Sequence, residues 1–286
     1  MNHAGIKFRK KKKAMAVFLS SVLALNTSAM IGIKTHGSLP GDHRDLRSDI
    51  INNAVAYLKS QKNPDNSFGS NELINDSTDA LIALRASGEQ IGEADLEWAV
   101  NNASYRNTDM VSRLASASAK SEYLGSLKGR QNQDGGFGLY PDYSSDVLDS
   151  VLVLEAINET GYAGEDISGA QICSYLISAV NEDGGFSYTE ANDSDAVLTS
   201  MVVFNVGRFL STNNFDMSIL EGPVSYIENN ITDSYSDNNI EKTICKYLAL
   251  QAAGSDIDSF NVVDELYKAE KNNGSFADSV HVTSLE

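Results

Sequence analysis

The residues that come closest to a catalytic motif are two aspartates in the segment Asp193-Ser194-Asp195-Ala196. A carboxyl that its neighbours hold protonated can act as a general acid, so such a pair could supply a proton to a substrate. The same Ser-Asp pair recurs at Ser145-Asp146, where an apolar run begins. Because aspartate favours the N-terminus of a helix, we interpret both pairs as helix starts. The sequence therefore predicts no catalytic residue, and Asp193 and Asp195 remain the candidates to test.

Histidine and cysteine, which most often bind zinc, are few and scattered. Beyond the N-terminal segment the histidines are His36, His43 and His281, and the cysteines are Cys173 and Cys245. A lone histidine near a helix start, as His281 is, is more often structural than a ligand. Both cysteines fall inside helical patterns, which favours buried free thiols, while a single disulfide between them stays open. We expect no zinc and no cofactor.

Two other kinds of site lack the residues they need. The arginines of the predicted buried helices, Arg85, Arg113 and Arg208, are scattered along the chain, so we expect no phosphate site. Asp149 and Glu155 share one helix and could form a glycosidase pair, but their spacing places them about 240° apart around its axis. They would not converge on one substrate.

The charge of the chain limits its partners. Its 286 residues include 22 Lys and Arg against 39 Asp and Glu, a net charge of −17, while 42% of the residues are hydrophobic. This is enough apolar material for a core. An acidic surface repels phosphate backbones and anionic lipid, so nucleic acid is not an expected partner.

Residues 1–29 have the pattern of an export signal. A basic run precedes the apolar stretch Ala14 to Leu25, and small residues follow it. The stretch is shorter than the ~20 residues that a membrane-spanning helix needs. We therefore predict cleavage after Ala29, a linker over residues 30–44, a repeat domain over residues 45–286, and a secreted or cell-surface protein.

A repeated unit organises the rest of the chain: a helix, an acidic turn rich in glycine or asparagine that ends in phenylalanine, and a second helix. The clearest copy has Gln131 followed by the turn Asn132-Gln133-Asp134-Gly135-Gly136-Phe137. The matching residues of the other copies are Gly184 and Phe186, Gly274 and Phe276, and Phe68. The phenylalanine spacing suits units of about 35 to 49 residues, with two weaker units in the wider gaps.

Each part of the unit has a physical role. Glycine permits a sharp turn with positive φ, and the phenylalanine can fill the gap between neighbouring hairpins. Ser77, Ser145 and Ser194 are positioned to cap the second helices, which are apolar on nearly all sides and therefore buried. The first helices are amphipathic, as an outer layer requires. These features predict hairpins stacked in an open solenoid or a closed double ring.

Gln131-x-x-x-Gly135-x-Phe137 resembles the glutamine and aromatic repeat of squalene-hopene cyclases and protein prenyltransferase β subunits. Val180-x-x-x-Gly184-x-Phe186 and Glu270-x-x-x-Gly274-x-Phe276 keep the spacing without the glutamine, and the copy from Gln61 to Phe68 carries one extra residue. The resemblance implies an all-α fold of the α/α toroid type, with about six hairpins in an inner and an outer ring. The last hairpin would be incomplete at Glu286.

The resemblance does not extend to the chemistry of these enzymes. A cyclase acid motif, transferase zinc ligands and an aromatic cage for carbocations are all missing from the sequence. We therefore expect a non-catalytic binding or scaffold module, with a small molecule, a glycan or a protein as its ligand. A cyclase or prenyltransferase type of enzyme and a carrier similar to cobalamin carriers remain the alternatives. We also expect further domains beyond residue 286.

Overall fold

The helices alternate between an outer and an inner layer along the chain. A computed structural model describes residues 41–70, 73–189 and 193–283. The outer elements are α1 (Gly41–Ser60), α3 (Glu93–Asn102), the 3-10 helix Ser121–Leu127, α6 (Gly169–Ser178), α8 (Glu221–Asn230) and α10 (Ser259–Ala269). The inner elements are α2 (Leu73–Ala86), α4 (Thr108–Ser118), α5 (Val147–Thr160), α7 (Ala196–Thr212), α9 (Ile240–Ala252) and α11 (Val280–Thr283). The predicted all-α class is confirmed.

The six hairpins of the described residues close into a ring. Each of the inner helices from α2 to α9 packs on the next, and α11 returns to pack on α2 while α10 packs on α1. The α/α toroid is thereby confirmed, with α11 four residues long where α7 has 17. The predicted export signal lies outside the described residues, and α1 begins inside the predicted linker.

The contact between the last turn and α1, which closes the ring, is the same as the contact at two junctions between neighbouring hairpins inside the ring. Gly135 and Gly184, both at positive φ, lie against the backbone of Gln171 and Gly222 at the start of the next outer helix. Gly274 lies against Asn53 of α1 in the same way. A Cβ at any of the three would clash with a carbonyl oxygen, so this turn position requires glycine.

The turns share one hydrogen-bond register, which corrects the predicted alignment of the first copy. The amides of Asn132, Asn181 and Lys271 each donate to the carbonyl four residues later, and Asn63 does the same. Lys62 therefore occupies the position of Gln131. The alignment through Gln61 was wrong, because the first turn has the same length as the others and no extra residue.

The phenylalanines that end the turns are the centre of each hairpin. Phe68, Phe137, Phe186 and Phe276 are all buried. Their amides each donate to a hydroxyl of the following inner helix, with Ser77, Ser150, Thr199 and Thr283 as the acceptors. The buried backbone amide of each phenylalanine is therefore hydrogen-bonded, as a buried polar group requires.

The predicted serine caps are wrong in all three copies. Ser77 lies inside α2, where its hydroxyl accepts from the Phe68 amide. Asp146 and Asp195 cap α5 and α7, each through a carboxylate oxygen that accepts from backbone amides of the first turn. Ser145 donates instead to Asp134 in the preceding turn, and Ser194 donates to Asp183. Ser145 and Ser194 each lie one residue before the capping aspartate, too early in the chain to reach the amides of the helix.

Candidate functional site

The two sequence candidates do not form an acid site. Asp195 caps α7 by accepting from the amides of Val197 and Leu198 at 2.9 and 3.0 Å. Asp193 is exposed. Since the Asp195 carboxylate oxygen is engaged as an acceptor, its role here is to stabilise the start of the helix.

A buried charge cluster that sequence reasoning missed lies among the inner helices. His281 of α11 places Nδ1 at 3.0 Å from Asp79 Oδ2 and Nε2 at 3.3 Å from Glu241 Oε1. Arg113 of α4 places Nη1 at 3.4 Å from Asp79 Oδ1 and also pairs with Asp109. Both oxygens of Asp79 are therefore engaged, and the cluster links α2, α4, α9 and α11.

The electrostatics of this cluster favour ion pairs. Burial raises the pKa of Asp79, while the contacts with His281 and Arg113 lower it in part. Burial also opposes a charge on His281, but hydrogen bonds with Asp79 and Glu241 outweigh it and raise its pKa to about 9. A histidine between two carboxylates donates from both nitrogens only as imidazolium. His281 is therefore a structural cation.

A second cluster lies further along the inner helices and corrects the expectation that the arginines are scattered. Arg85 Nη2 and Arg208 Nη1 bind the two oxygens of Glu159 at 2.7 and 2.8 Å. Arg85 Nη1 also donates to the carbonyl of Ser116 at the end of α4. The fold thus brings together arginines that are distant in sequence, and both form ion pairs with the buried carboxylate of Glu159.

Asp149 and Glu155, the carboxylates considered for a glycosidase, are both buried in α5. The charge of Glu155 acts on both Arg85 and Arg113, so it lies between the two clusters. Glu155 therefore belongs to a network of buried charge. Such a network is costly to desolvate and is retained where its members pair.

The thiols and the metal-binding residue types add no further site. Cys173 and Cys245 are free and buried, and burial raises the pKa of Cys173 to about 12. In the described ranges no group of three or more His, Cys, Asp or Glu residues is arranged to hold a metal ion. Nor is any helix in that part of the chain long and apolar enough to cross a membrane.

An open groove of about 900 Å³ lies between the loop that joins α5 to α6 and the last turn of α7. Its wall includes Tyr162, Gln171, Phe209 and Thr212. Gln131 fixes this wall, because its side-chain amide accepts from the Ser168 amide and donates to the Ser168 carbonyl. The Tyr162 hydroxyl is buried without a hydrogen-bond partner in the described residues. The wall also includes the charged residues Glu165, Asp166 and Arg208, and polar groups beside an aromatic ring are typical of a small-molecule site.

Comparison with known proteins shows a likeness of fold. No family model matches the chain, and a search of curated proteins finds no relative. A protein from Actinoplanes matches with a TM-score of 0.53 at 13% identity, covering 80% of this chain and 82% of that one. The type II terpene cyclase MstE from Scytonema matches with a TM-score of 0.37 at 12% identity, covering 81% of each chain. A variant of MstE in complex with geranylgeranyl dihydroxybenzoate gives the same TM-score and identity over 82% of each chain.

Proposed function

We propose that this chain is an exported, non-catalytic binding module in which the helical ring is the scaffold and the groove beside Gln171 holds the ligand. The observation that carries the proposal is the engagement of Asp79. Its two oxygens are taken by Arg113 and His281, so this buried acid of the inner helices is an ion-pair partner. Asp195 is likewise occupied as a helix cap.

The groove supports a binding role because polar side chains, among them the charged Glu165, Asp166 and Arg208, line it together with aromatic rings. The Gln171 side chain is exposed and can reach a ligand in the groove. Phe209 contributes a half-buried ring, which stacks on Phe215 with centroids 6.5 Å apart. A ligand with hydroxyl or amide groups and an apolar face fits these contacts.

Binding at the groove is tested by thermal denaturation with three probes: cobalamin, a neutral oligosaccharide and geranylgeranyl diphosphate. A probe at about 100 times its Kd should stabilise the protein by ~2.7 kcal/mol. Gln171→Trp should fill the groove and remove the shift, while Tyr267→Trp on α10, also at an exposed position, should keep it. A shift that persists in Gln171→Trp, or no shift with any probe, would overturn the assignment of the groove.

The non-catalytic role is tested by incubation with geranylgeranyl diphosphate and squalene, with products identified by mass. We expect no turnover by the parent protein. Turnover that is lost in Asp79→Asn, with folding intact, would show that the protein is an enzyme and contradict the non-catalytic role. A general acid contributes about 10²–10⁴ in rate, so the loss would be unmistakable.

Export is tested on the protein recovered from the culture medium of an expressing cell. We expect an N-terminus at Met30, the residue after the predicted cleavage point. A protein that stays inside the cell with its basic segment intact would contradict export, without affecting the binding proposal.

A further inference from the structure

Three exposed tyrosines lie on two neighbouring loops of the ring. Tyr105 lies between α3 and α4, and Tyr140 and Tyr143 lie between the 3-10 helix Ser121–Leu127 and α5. Their exposed fractions are 41%, 37% and 56%. The rings of Tyr140 and Tyr143 meet edge to face with centroids 5.4 Å apart. Aromatic side chains left this exposed mark an interaction surface when they occur together.

The two loops are tied to each other by hydrogen bonds. Thr108 donates from its amide to the Leu139 carbonyl and from its hydroxyl to the Gly138 carbonyl, at 2.9 and 2.7 Å. Arg130 donates to the carbonyls of Tyr105 and Arg106. The tyrosines are therefore presented on a fixed surface, which lowers the entropy that a ligand must overcome on binding.

Two arginines give this surface a positive charge in an acidic protein. Arg106 is exposed, and Arg130 lies beside it. Among the described residues neither guanidinium pairs with a carboxylate, whereas Lys128, close by in the chain, pairs with Asp166 at 2.8 Å. Burial lowers the pKa of Arg130, and the charge of Arg106 lowers it further. Two adjacent cations without a counter-ion, on a chain of net charge −17, indicate a place for an anionic group.

The other exposed large hydrophobic side chains of the described residues lie elsewhere, at Val180, Phe215, Ile219 and Tyr267. The tyrosine surface therefore lacks the aliphatic centre of a typical protein interface. Its exposed neighbours in the chain are Ser104, Ser144 and Asp142, whose single negative charge stands against the two arginines. Tyrosine faces stack on the C–H faces of sugar rings while their hydroxyls bond to sugar hydroxyls. Guanidinium groups bind carboxylates in a bidentate manner.

We propose that the patch formed by Tyr105, Arg106, Arg130, Tyr140 and Tyr143 binds an acidic polysaccharide that carries carboxylated sugars. The tyrosines stack on the sugar rings, and Arg106 pairs with a sugar carboxylate. Arg130, whose Nη1 and Nη2 hold the carbonyls of Arg106 and Tyr105, adds positive charge. The partner is a surface or matrix glycan outside the cell, which goes beyond the ligand proposed for the groove.

The test is affinity electrophoresis of the folded protein through gels containing polygalacturonate, with neutral galactan and poly-glutamate gels for comparison. Retention by polygalacturonate should fall at least about fivefold in Tyr143→Ala and in Arg106→Gln. Tyr267→Ala removes a tyrosine that is 46% exposed on α10 and should leave retention unchanged. Gln171→Trp should also leave it unchanged, which separates this surface from the groove.

Three outcomes would overturn the proposal. Equal retention by poly-glutamate would mean charge attraction or an acidic protein partner. Equal retention of Tyr143→Ala and the parent would show that stacking is absent. No retention by polygalacturonate at low salt would show that this surface does not bind an acidic glycan. That outcome would leave the result of the groove experiment unaffected.

Discussion

His281 Nδ1 lies 3.0 Å from Asp79 Oδ2 although 202 residues separate them in the chain. The pair joins the last inner helix to the first, and the second nitrogen of His281 reaches Glu241 on α9. One imidazolium thus spans the closure of the ring. Removal of its charge leaves two buried carboxylates facing each other, which costs stability.

The stability of the ring should fall as the pH rises through the alkaline range. The folded-state pKa of His281 is about 9 against an ordinary value of 6.5, so its contribution is complete below 6.5 and lost above 9. The free energy involved is of the order of 3 kcal/mol. Arg113 stays charged and Tyr188 and Cys245 stay protonated over this window, because their pKa values are raised. Urea titrations at several pH values measure the slope.

His281→Gln is the matched control for this pH dependence. Glutamine retains a hydrogen-bond donor but does not titrate. The variant should be less stable at pH 6 and should lose the slope between pH 6.5 and 9. The same slope in both proteins would show that another group is responsible.

The third residue of the turn, Asp183 or Asn273, accepts a hydrogen bond from a serine hydroxyl, but the two turns supply that serine from different positions. This difference predicts a compensating pair of substitutions. Asp183 accepts from Ser194 in one turn, whereas the equivalent Asn273 accepts from Ser275 within its own turn. Gly185 occupies the position of Ser275, and a Cβ on it would clash with Ser194. Gly185→Ser should therefore cost about 1–3 kcal/mol by overpacking.

Gly185→Ser combined with Ser194→Gly should be more stable than the sum of the single changes allows, because the new serine supplies the missing hydroxyl. Tyr226 must also shift, because its Cζ would lie 2.8 Å from the added Cβ. Urea unfolding of the four proteins measures the coupling. Additive losses would mean that the two hydroxyl positions are not interchangeable.

Phe137→Ala and Phe186→Ala should each lower the free energy of unfolding by about 3–5 kcal/mol, because each ring is fully buried and would leave a cavity. Phe215→Ala is the control, since that ring is 53% exposed. Melting curves compare the three. If the buried and exposed positions respond alike, the phenylalanines of the turns do not hold the hairpins together.

Asp195 should prove structural. Asp195→Asn keeps an oxygen that accepts from Val197 and Leu198, and it should change stability little, whereas Asp195→Ala should cost ~1 kcal/mol. Binding of any probe should be unchanged in both. Loss of a measurable activity in Asp195→Asn with normal stability would restore this residue as an acid.

The repeat, the turn glycines and the buried phenylalanines could be predicted because each depends on local chemistry. Gly135 and Gly274 need positive φ, and Phe137 and Phe276 follow at a fixed distance. The sequence could not predict which charged residues would pair with each other in the two clusters. A signal was nevertheless present, since Asp79 directly precedes the buried apolar run from Ala80 to Leu84, and Arg113 lies between the buried residues Ser112 and Leu114. A buried charge requires a partner, but its identity depends on the neighbouring helix.

The sequence by itself determined the helices, their order and the inner and outer layers, because periodicity and turn residues act within a few positions of the chain. Only the tertiary structure decided that the ring closes, that Asp79 meets His281 and that Arg85 and Arg208 share Glu159. It also decided that two loops distant in sequence present Tyr105, Tyr140 and Tyr143 together. These relationships depend on the small rotation between successive hairpins, which accumulates around the ring and is set by packing.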